Sequence, residues 1–422
     1  MDIRSITLGV NWEARAKEEI EENIASFQKV VNNLCQENTF KVRTLRLCLS
    51  PVNAMEEASD ASIHSLVRWF SEVCAQNNIR WFCVPFSAFE GRPLEECYNV
   101  ALSIARRYRN AFINFIVSKD GVINAKSIMQ TGRFIKDVSR LSNTGYDNFR
   151  IGASCNCQAH TPFFPFAYHE GQDGFSIALE LPPVFMDIIQ HHKKKSIQEI
   201  REKIIDHIVP ELGEIEDLAL KIEKSTSLKY YGIDASLAPF PEEKGSVAQI
   251  IESLGVEHFG NNGTLFAISY LTDILKYAVA KSGIRATGFN GVMISLLEDT
   301  YVGLRSDTKT FSIDSILAFS SVCGCGLDMI PIPGDTFDEE IASLILDVAA
   351  LSVVLNKPLG VRLLPIPMKH ENDFTDFSYD FLTNSRIKSI KNLVYEHKIF
   401  ESTNISYLFD RYKGVVRDEA PS

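Results

Sequence analysis

Two thiols two residues apart, Cys323 and Cys325, flank a glycine in the run Ser321-Val322-Cys323-Gly324-Cys325-Gly326. A helix-like segment ends at Cys323, and an apolar strand over 327–332 leads into Pro333-Gly334-Asp335-Thr336 and another helix. Glycines let a backbone turn tightly enough to present a side chain. A thiol so placed can act as nucleophile or proton donor once its neighbours set its pKa. In purely apolar surroundings it would be a small packing residue. Asp328 and Asp335 on the same stretch offer carboxylates to a substrate, and Thr336 with Glu339 fits a helix capping box.

Other candidates are scattered along the chain. His169-Glu170 follows a loop of prolines and phenylalanines that would form a rigid apolar wall, with Phe163 in it as a substrate contact. His169 could serve there as general acid, base or metal ligand, and His160 is a second choice nine residues earlier. Asp234 sits in an apolar strand, where an unpaired carboxylate is costly and so needs a partner, a ligand or a cavity. Glu298-Asp299 come just past the end of a strand, the edge at which α/β folds place reactive groups. Gly263-Thr264 opens a helix whose free amides could hold an anion; the alternative is an ordinary cap at Thr264. Arg362, inside the last strand, could bind a carboxylate or an anionic ligand. Cys155-x-Cys157 with Cys323-x-Cys325 reads as ordinary cysteines rather than a four-thiolate metal site. No cofactor is expected; a metal ion stays open, with a weak signal because no His-Glu-x-x-His spacing occurs.

The elements that must position these groups follow from 422 residues, 45% hydrophobic and 23% charged, a globular composition. A formal net charge of −11 argues against a nucleic-acid surface. The basic run 191–195 reads as a solvated turn. Nine cysteines, with no secretory signal and no membrane-length apolar run, point to a reducing, cytoplasmic setting. Strands are expected at 6–10, 42–49, 79–85, 112–117, 149–155, 175–181, 230–237, 288–296, 327–332 and 359–364. Helices are expected between them at 14–35, 61–77, 94–108, 126–141, 197–224, 247–254 and 264–280. Such alternation implies right-handed crossovers and a mainly parallel sheet, open or closed. Regularity fades after Pro367, and one helix is expected near 385–395.

Several motifs together resemble one family. They are Thr161-Pro162-Phe163-Phe164-Pro165-Phe166-Ala167-Tyr168-His169, Gly232-Ile233-Asp234-Ala235-Ser236-Leu237-Ala238-Pro239, Gly263-Thr264, Gly291 with Glu298-Asp299, and the stretch from Cys323 to Thr336. The chain resembles domain of unknown function 711, also called PFL-like, a family similar in fold to pyruvate formate-lyase and other glycyl radical enzymes. The resemblance implies a ten-stranded α/β barrel with a cysteine-bearing hairpin entering it, and Cys323 matches the family's cysteine. The ten expected strands agree with that count. Glycyl radical enzymes carry a C-terminal Arg-Val-x-Gly-aromatic loop, whereas this tail has only Arg411-Tyr412-Lys413-Gly414-Val415 in a polar context. The resemblance therefore implies the barrel without the radical.

The expectation is a barrel domain over 1–380 with a C-terminal helix and polar tail over 381–422. Its function would be a non-radical lyase, isomerase or hydrolase step on a small polar or anionic metabolite. Cys323, His169, Glu298, Asp299 and Asp234 would be catalytic, and Gly263, Thr264, Asp328, Asp335, Arg362 and Phe163 would bind substrate. A metabolite-binding protein on the same barrel and a metal-dependent hydrolase using His169 are the alternatives. Surplus apolar helix face would serve a homodimer.

Overall fold

Along β1 (Asp2–Val10) the side chains of Ile3, Ile6, Leu8 and Val10 are buried in one apolar cluster with Ile20, Ile24, Phe27 and Val31 of α1 (Lys17–Glu37). The period of two along the strand puts Thr7 and Gly9 on the other face. The computed structural model describes residues 1–13, 15–391, 397–407, 409–410 and 415–416. Ala14, the first residue of the expected opening helix, lies outside these.

The chain continues through β2 (Val42–Leu49), α2 (Asp60–Gln76), β3 (Trp81–Ser87), α3 (Leu94–Arg107) and β4 (Ala111–Lys119). β4 turns back through a short β5 (Val122–Ile123) before α4 (Ala125–Ser139) and β6 (Ile151–Cys155). β1, β2, β3, β4 and β6 lie side by side and parallel. Next come β7 (Gly174–Glu180), α5 (Pro182–His191), α6 (Ile197–Thr226), β8 (Lys229–Asp234), α7 (Val247–Ser253) and α8 (Thr264–Ser282). Then α9 (Thr300–Arg305), α10 (Ile313–Phe319), β9 (Gly326–Pro333), α11 (Asp338–Leu355) and β10 (Leu359–Ile366) follow. The order across the sheet is β8-β7-β1-β2-β3-β4-β6-β10-β9. The parallel block β1 to β6 meets the two flanking parallel pairs antiparallel, at β1 with β7 and at β6 with β10.

The chain is thus one α/β domain with a mixed eleven-stranded sheet, completed by β5 and β11 (Ile405–Ser406), and eleven α-helices among the described residues. The expected strand 288–296 is absent from the ladder. That segment touches β8 through Ile233 with Ala286, its continuation through Leu237 with Val292, and β9 through Ser295 with Asp328, each as a single parallel bridge. The cause is local: Gly288 and Asn290 adopt positive φ (77° and 47°), which interrupts a ladder. Glu340, not Glu339, closes the turn at the start of α11, accepting the Phe337 N–H at 2.8 Å, while the Thr336 hydroxyl donates to the Pro333 carbonyl.

The apolar Pro/Phe loop, not the cysteine turn, runs across the inner face of the sheet. Residues 161–169 are all buried there. The Thr7 hydroxyl, the Cys83 thiol and the Asn114 amide donate to the carbonyls of Pro162, Pro165 and Ala167. A Cβ on Gly152 would meet Pro165 at 2.4 Å and one on Gly360 would meet the Phe166 ring at 2.5 Å, so these glycines make the room. Phe377, Leu382 and Ile387 join the inner cluster of Phe112, Phe149 and Leu364, so packing runs across residue 380. Residues 385–391 are not helical, and the remainder of the helix expected over 385–395 lies outside the described residues, as do residues 411–414 of the tail motif. Among the described residues no helix is long and apolar enough to cross a membrane.

Candidate functional site

Four strands and one turn aim polar side chains at a single point on the inner face. Arg4 comes from β1, Arg46 from β2, Asp328 from β9 and Arg362 from β10, with Ser295 and Glu298 from the turn after the bridged segment. They line a cavity of about 70 Å³ whose other walls are Trp81, Phe112, Phe149, Phe163, Phe164, Phe166, Phe289, Met293 and Cys325. A wider recess of about 450 Å³ adjoins it. Arg4, Arg46, Trp81, Phe149 and Glu298 line both spaces, and Arg43, Arg80, Tyr379 and Phe381 lie only on the outer one.

The charges divide into two groups. Arg362 donates to both oxygens of Asp328 (2.7 and 2.8 Å) and to Glu298 (2.7 Å), and its guanidinium lies over the Phe149 ring. Burial works to raise the Glu298 carboxyl, but Arg362 and then Arg4 outweigh it and hold it below the usual range. Asp328 is raised, by burial first and by the Glu298 charge, despite the same arginine. Arg4 and Arg46 form the other group. Arg4 donates to the Pro239 carbonyl (3.0 Å) and Arg46 to the Thr44 hydroxyl (3.0 Å). Among the described residues neither has a carboxylate within 4.0 Å. Burial pushes both guanidinium pKa values down, that of Arg46 to about 9 with Arg4 adding repulsion.

Of the two cysteines, Cys325 lines the cavity, and Cys323 lies behind it in the helix-side cluster. The Ile294 N–H donates to Cys325 Sγ at 3.2 Å. A hydrogen bond from the Cys325 thiol, helped by Lys357, lowers Cys323 to about 6 against the opposing effect of burial. The same bond raises Cys325, which keeps the shared proton. Lys357 also donates to the carbonyls of Ser320, Ser321 and Cys323.

The other expected site residues serve elsewhere. Asp299 accepts from the Ser246 hydroxyl and from the N–H groups of Val247, Ala248, Tyr301 and Val302, so one carboxylate caps both α7 and α9. Asp234 accepts from Ser236, Phe289 and Asn290, pinning the turn before the bridged segment, and burial raises it to about 6. The Thr264 hydroxyl accepts the Gly260 N–H inside the loop. Gly263 lines a larger surface groove of about 770 Å³, whose lining holds no cluster of ionisable groups beyond Glu257 and Tyr270. Asp335 is exposed and 3.7 Å from His370.

His169 is buried beside Gly9, near the end of β1 opposite Arg4, and packs edge-on against His160, which stacks on Tyr231. Among the described residues neither ring nitrogen of His169 has a hydrogen-bond partner, and burial, then His160, lowers it to about 3. His169 is therefore not gathered with Glu298 or Asp234. Among the described residues no group of three or more His, Cys, Asp or Glu side chains could hold a metal ion.

Of the expected residues, Glu298, Asp328, Arg362 and Phe163 meet at one cavity, joined by Cys325. Arg4 and Arg46 were not anticipated. Their signal was the one that marked Arg362: an arginine between apolar neighbours, as in Ile3-Arg4-Ser5-Ile6 and Leu45-Arg46-Leu47.

Residues 1–384 match the family described as "Uncharacterised ACR (DUF711)". Relatives described as UPF0210 proteins share this span. That of Pyrobaculum aerophilum is 28% identical over 400 residues, covering 89% of this chain and 87% of its own. That of Clostridium perfringens is 26% identical over 403 residues (89% and 88%). That of Oenococcus oeni is 32% identical over 270 residues (63% and 59%).

Proposed function

The chain belongs to the DUF711 family of uncharacterised proteins, and we propose that it binds a small organic anion in the inner cavity and transforms it there without radical chemistry. The observation that carries this is the pair of Arg4, buried, and Arg46, half-buried, at the cavity with no carboxylate within 4.0 Å of either among the described residues. A buried charge without a counter-ion is costly, and a bound carboxylate or phosphate would relieve that cost. The cavity sets three arginines against two carboxylates, in a chain whose formal net charge is −11.

In this reading Arg4 and Arg46 hold the anionic group. Glu298, fixed by Arg362 and Ser295, is the ionised carboxylate placed to accept a proton. Cys325, kept protonated, is the thiol placed to give one. Lyase, isomerase and hydrolase steps all use such a pair. The fold reading that accompanies it is a closed ten-stranded barrel, as in pyruvate formate-lyase. Residues 286–295 would be the tenth stave, since they bridge the two ends of the sheet path. Nine free, buried cysteines favour a reducing, cytoplasmic setting.

A binding protein without turnover is the second reading, favoured by the raised pKa of the cavity thiol. Anion binding is tested by urea unfolding of the full chain with inorganic phosphate, acetate or succinate. A ligand that binds only the folded state adds about 2.7 kcal/mol at a hundred times its Kd. The gain should vanish in Arg46→Met. Equal responses of the wild type and this variant to all three anions would overturn the reading.

A further inference from the structure

The two thiols of the Cys-Gly-Cys turn sit differently toward the cavity, and this gives them a joint chemistry. We propose that Cys323 and Cys325 are a reversible dithiol–disulfide site, oxidised by a small peroxide that enters through the cavity and takes the Cys325 thiol away from it. Cys325 is on the cavity wall, and Cys323 lies behind that wall, one glycine away on the same tight turn. The attacking and resolving thiols are therefore held on one turn, and an oxidant the size of a few atoms has a path to one of them.

The turn itself keeps them together. A Cβ on Gly324 would stand 2.9 Å from the Gly291 Cα, so this turn presses backbone to backbone against the bridged segment. The Gly324 N–H donates to the Val292 carbonyl (2.6 Å), the Gly360 N–H to the Cys325 carbonyl (2.7 Å), and Lys357 holds the Cys323 carbonyl. Thiolate is the reactive form, and this pair supplies one at neutral pH. Burial instead raises Cys35, Cys48, Cys74, Cys97, Cys155 and Cys157.

The chemistry balances with hydrogen peroxide as oxidant. The Cys325 proton passes to Cys323, and the Cys325 sulfur attacks one peroxide oxygen. An S–O bond forms and the O–O bond breaks, and the departing hydroxide takes the proton from Cys323 and leaves as water. Cys325 is now a sulfenic acid. The Cys323 thiolate attacks its sulfur, the S–S bond forms and the S–O bond breaks, and the second hydroxide leaves as water with a solvent proton. Two thiols lose two electrons, and one peroxide becomes two waters. A thiol reductant reverses the change by exchange. The proposal is independent of what the cavity binds.

The test exposes the folded full-length wild type to hydrogen peroxide, then blocks free thiols with iodoacetamide in denaturant. The tryptic peptide from Thr310 to Arg362 contains Cys323 and Cys325 and no other cysteine. It should lose both alkylation sites together, two hydrogens lighter than the dithiol, and regain them after dithiothreitol. In Cys323→Ser, Cys325 should stop at a sulfenic acid that dimedone traps. Two thiols still alkylated at peroxide levels that oxidise free cysteine would overturn the proposal. So would wild-type oxidation that goes to a sulfinic acid with no disulfide, a result that does not depend on the variant folding.

Discussion

Arg362 meets Asp328 in a two-pronged pair, Nε to one oxygen at 2.7 Å and Nη2 to the other at 2.8 Å, with Glu298 on Nη2 as well. All three side chains are largely out of solvent, so the arginine is what makes two neighbouring carboxylates tolerable. Arg362→Met keeps the volume and removes the charge. It should cost about 3–5 kcal/mol in urea unfolding at neutral pH, the range for breaking one side of a buried pair. Lowering the pH should recover part of that loss in the variant, since protonation neutralises the orphaned acids. A variant as stable as the wild type would show that the carboxylates find water.

Asp299 makes a contrasting case, a carboxylate with structural work only. It caps two helices at once through five donors. Losing a cap costs about 1 kcal/mol per helix, and each buried N–H left without a partner adds to it. Asp299→Ala should therefore lose about 2–4 kcal/mol in unfolding, while Asp299→Asn should recover part of this through its remaining oxygen. Anion-dependent stabilisation should persist in the Asn variant, because Asp299 does not line the cavity.

The contact between Gly291 and Gly324 is tested by adding one carbon. In Gly291→Ala the new Cβ would stand 2.9 Å from the Gly324 Cα and 3.1 Å from its nitrogen, both backbone atoms. The turn must move, at a cost of about 1–3 kcal/mol for overpacking. Disulfide formation at Cys323–Cys325 should change rate with it. Gly213→Ala supplies the control: it lies inside α6 with nothing within 4 Å of the added carbon, so stability should rise by about 0.5–1 kcal/mol.

Period and punctuation made most strands readable, because a strand buried against helices shows its apolar run directly, as in β1 and β10. The segment 288–296 reads as a full strand because its apolar residues keep the strand pattern, whereas Gly288 and Asn290 break its ladder. The site was partly readable. Glu298, Asp328 and Arg362 stand out as charges among apolar neighbours. Asp234 and Asp299 stand out for the same reason, yet apart from one serine hydroxyl each their partners are backbone N–H groups that no sequence pattern displays. In a regular strand Cys323 and Cys325, two residues apart, would share a face, so that Cys325 alone lines the cavity depends on the turn geometry at Gly324, which no periodicity displays.

His169 makes the fold sensitive to acid. The residue is 1% exposed, has no hydrogen-bond partner on either ring nitrogen among the described residues, and touches His160, itself lowered to about 4. The folded protein therefore keeps His169 neutral down to about pH 3, whereas the unfolded chain protonates it near the ordinary histidine value of 6.5. Above that value both states are neutral and the group is silent. As pH falls below it, the unfolded state alone gains the proton and stability is lost, until the folded value is reached. One unit below the unfolded value the loss is about 1.4 kcal/mol from this histidine. His169→Phe fills the pocket with a ring that cannot titrate, so the slope of stability against pH between 6.5 and 4 should flatten, whatever the variant's stability at neutral pH. Urea midpoints across that window read the slope directly. Parallel curves for wild type and variant would mean that His169 is protonated or solvated in the folded protein, and acid sensitivity would have to be sought at the carboxylates around Arg362.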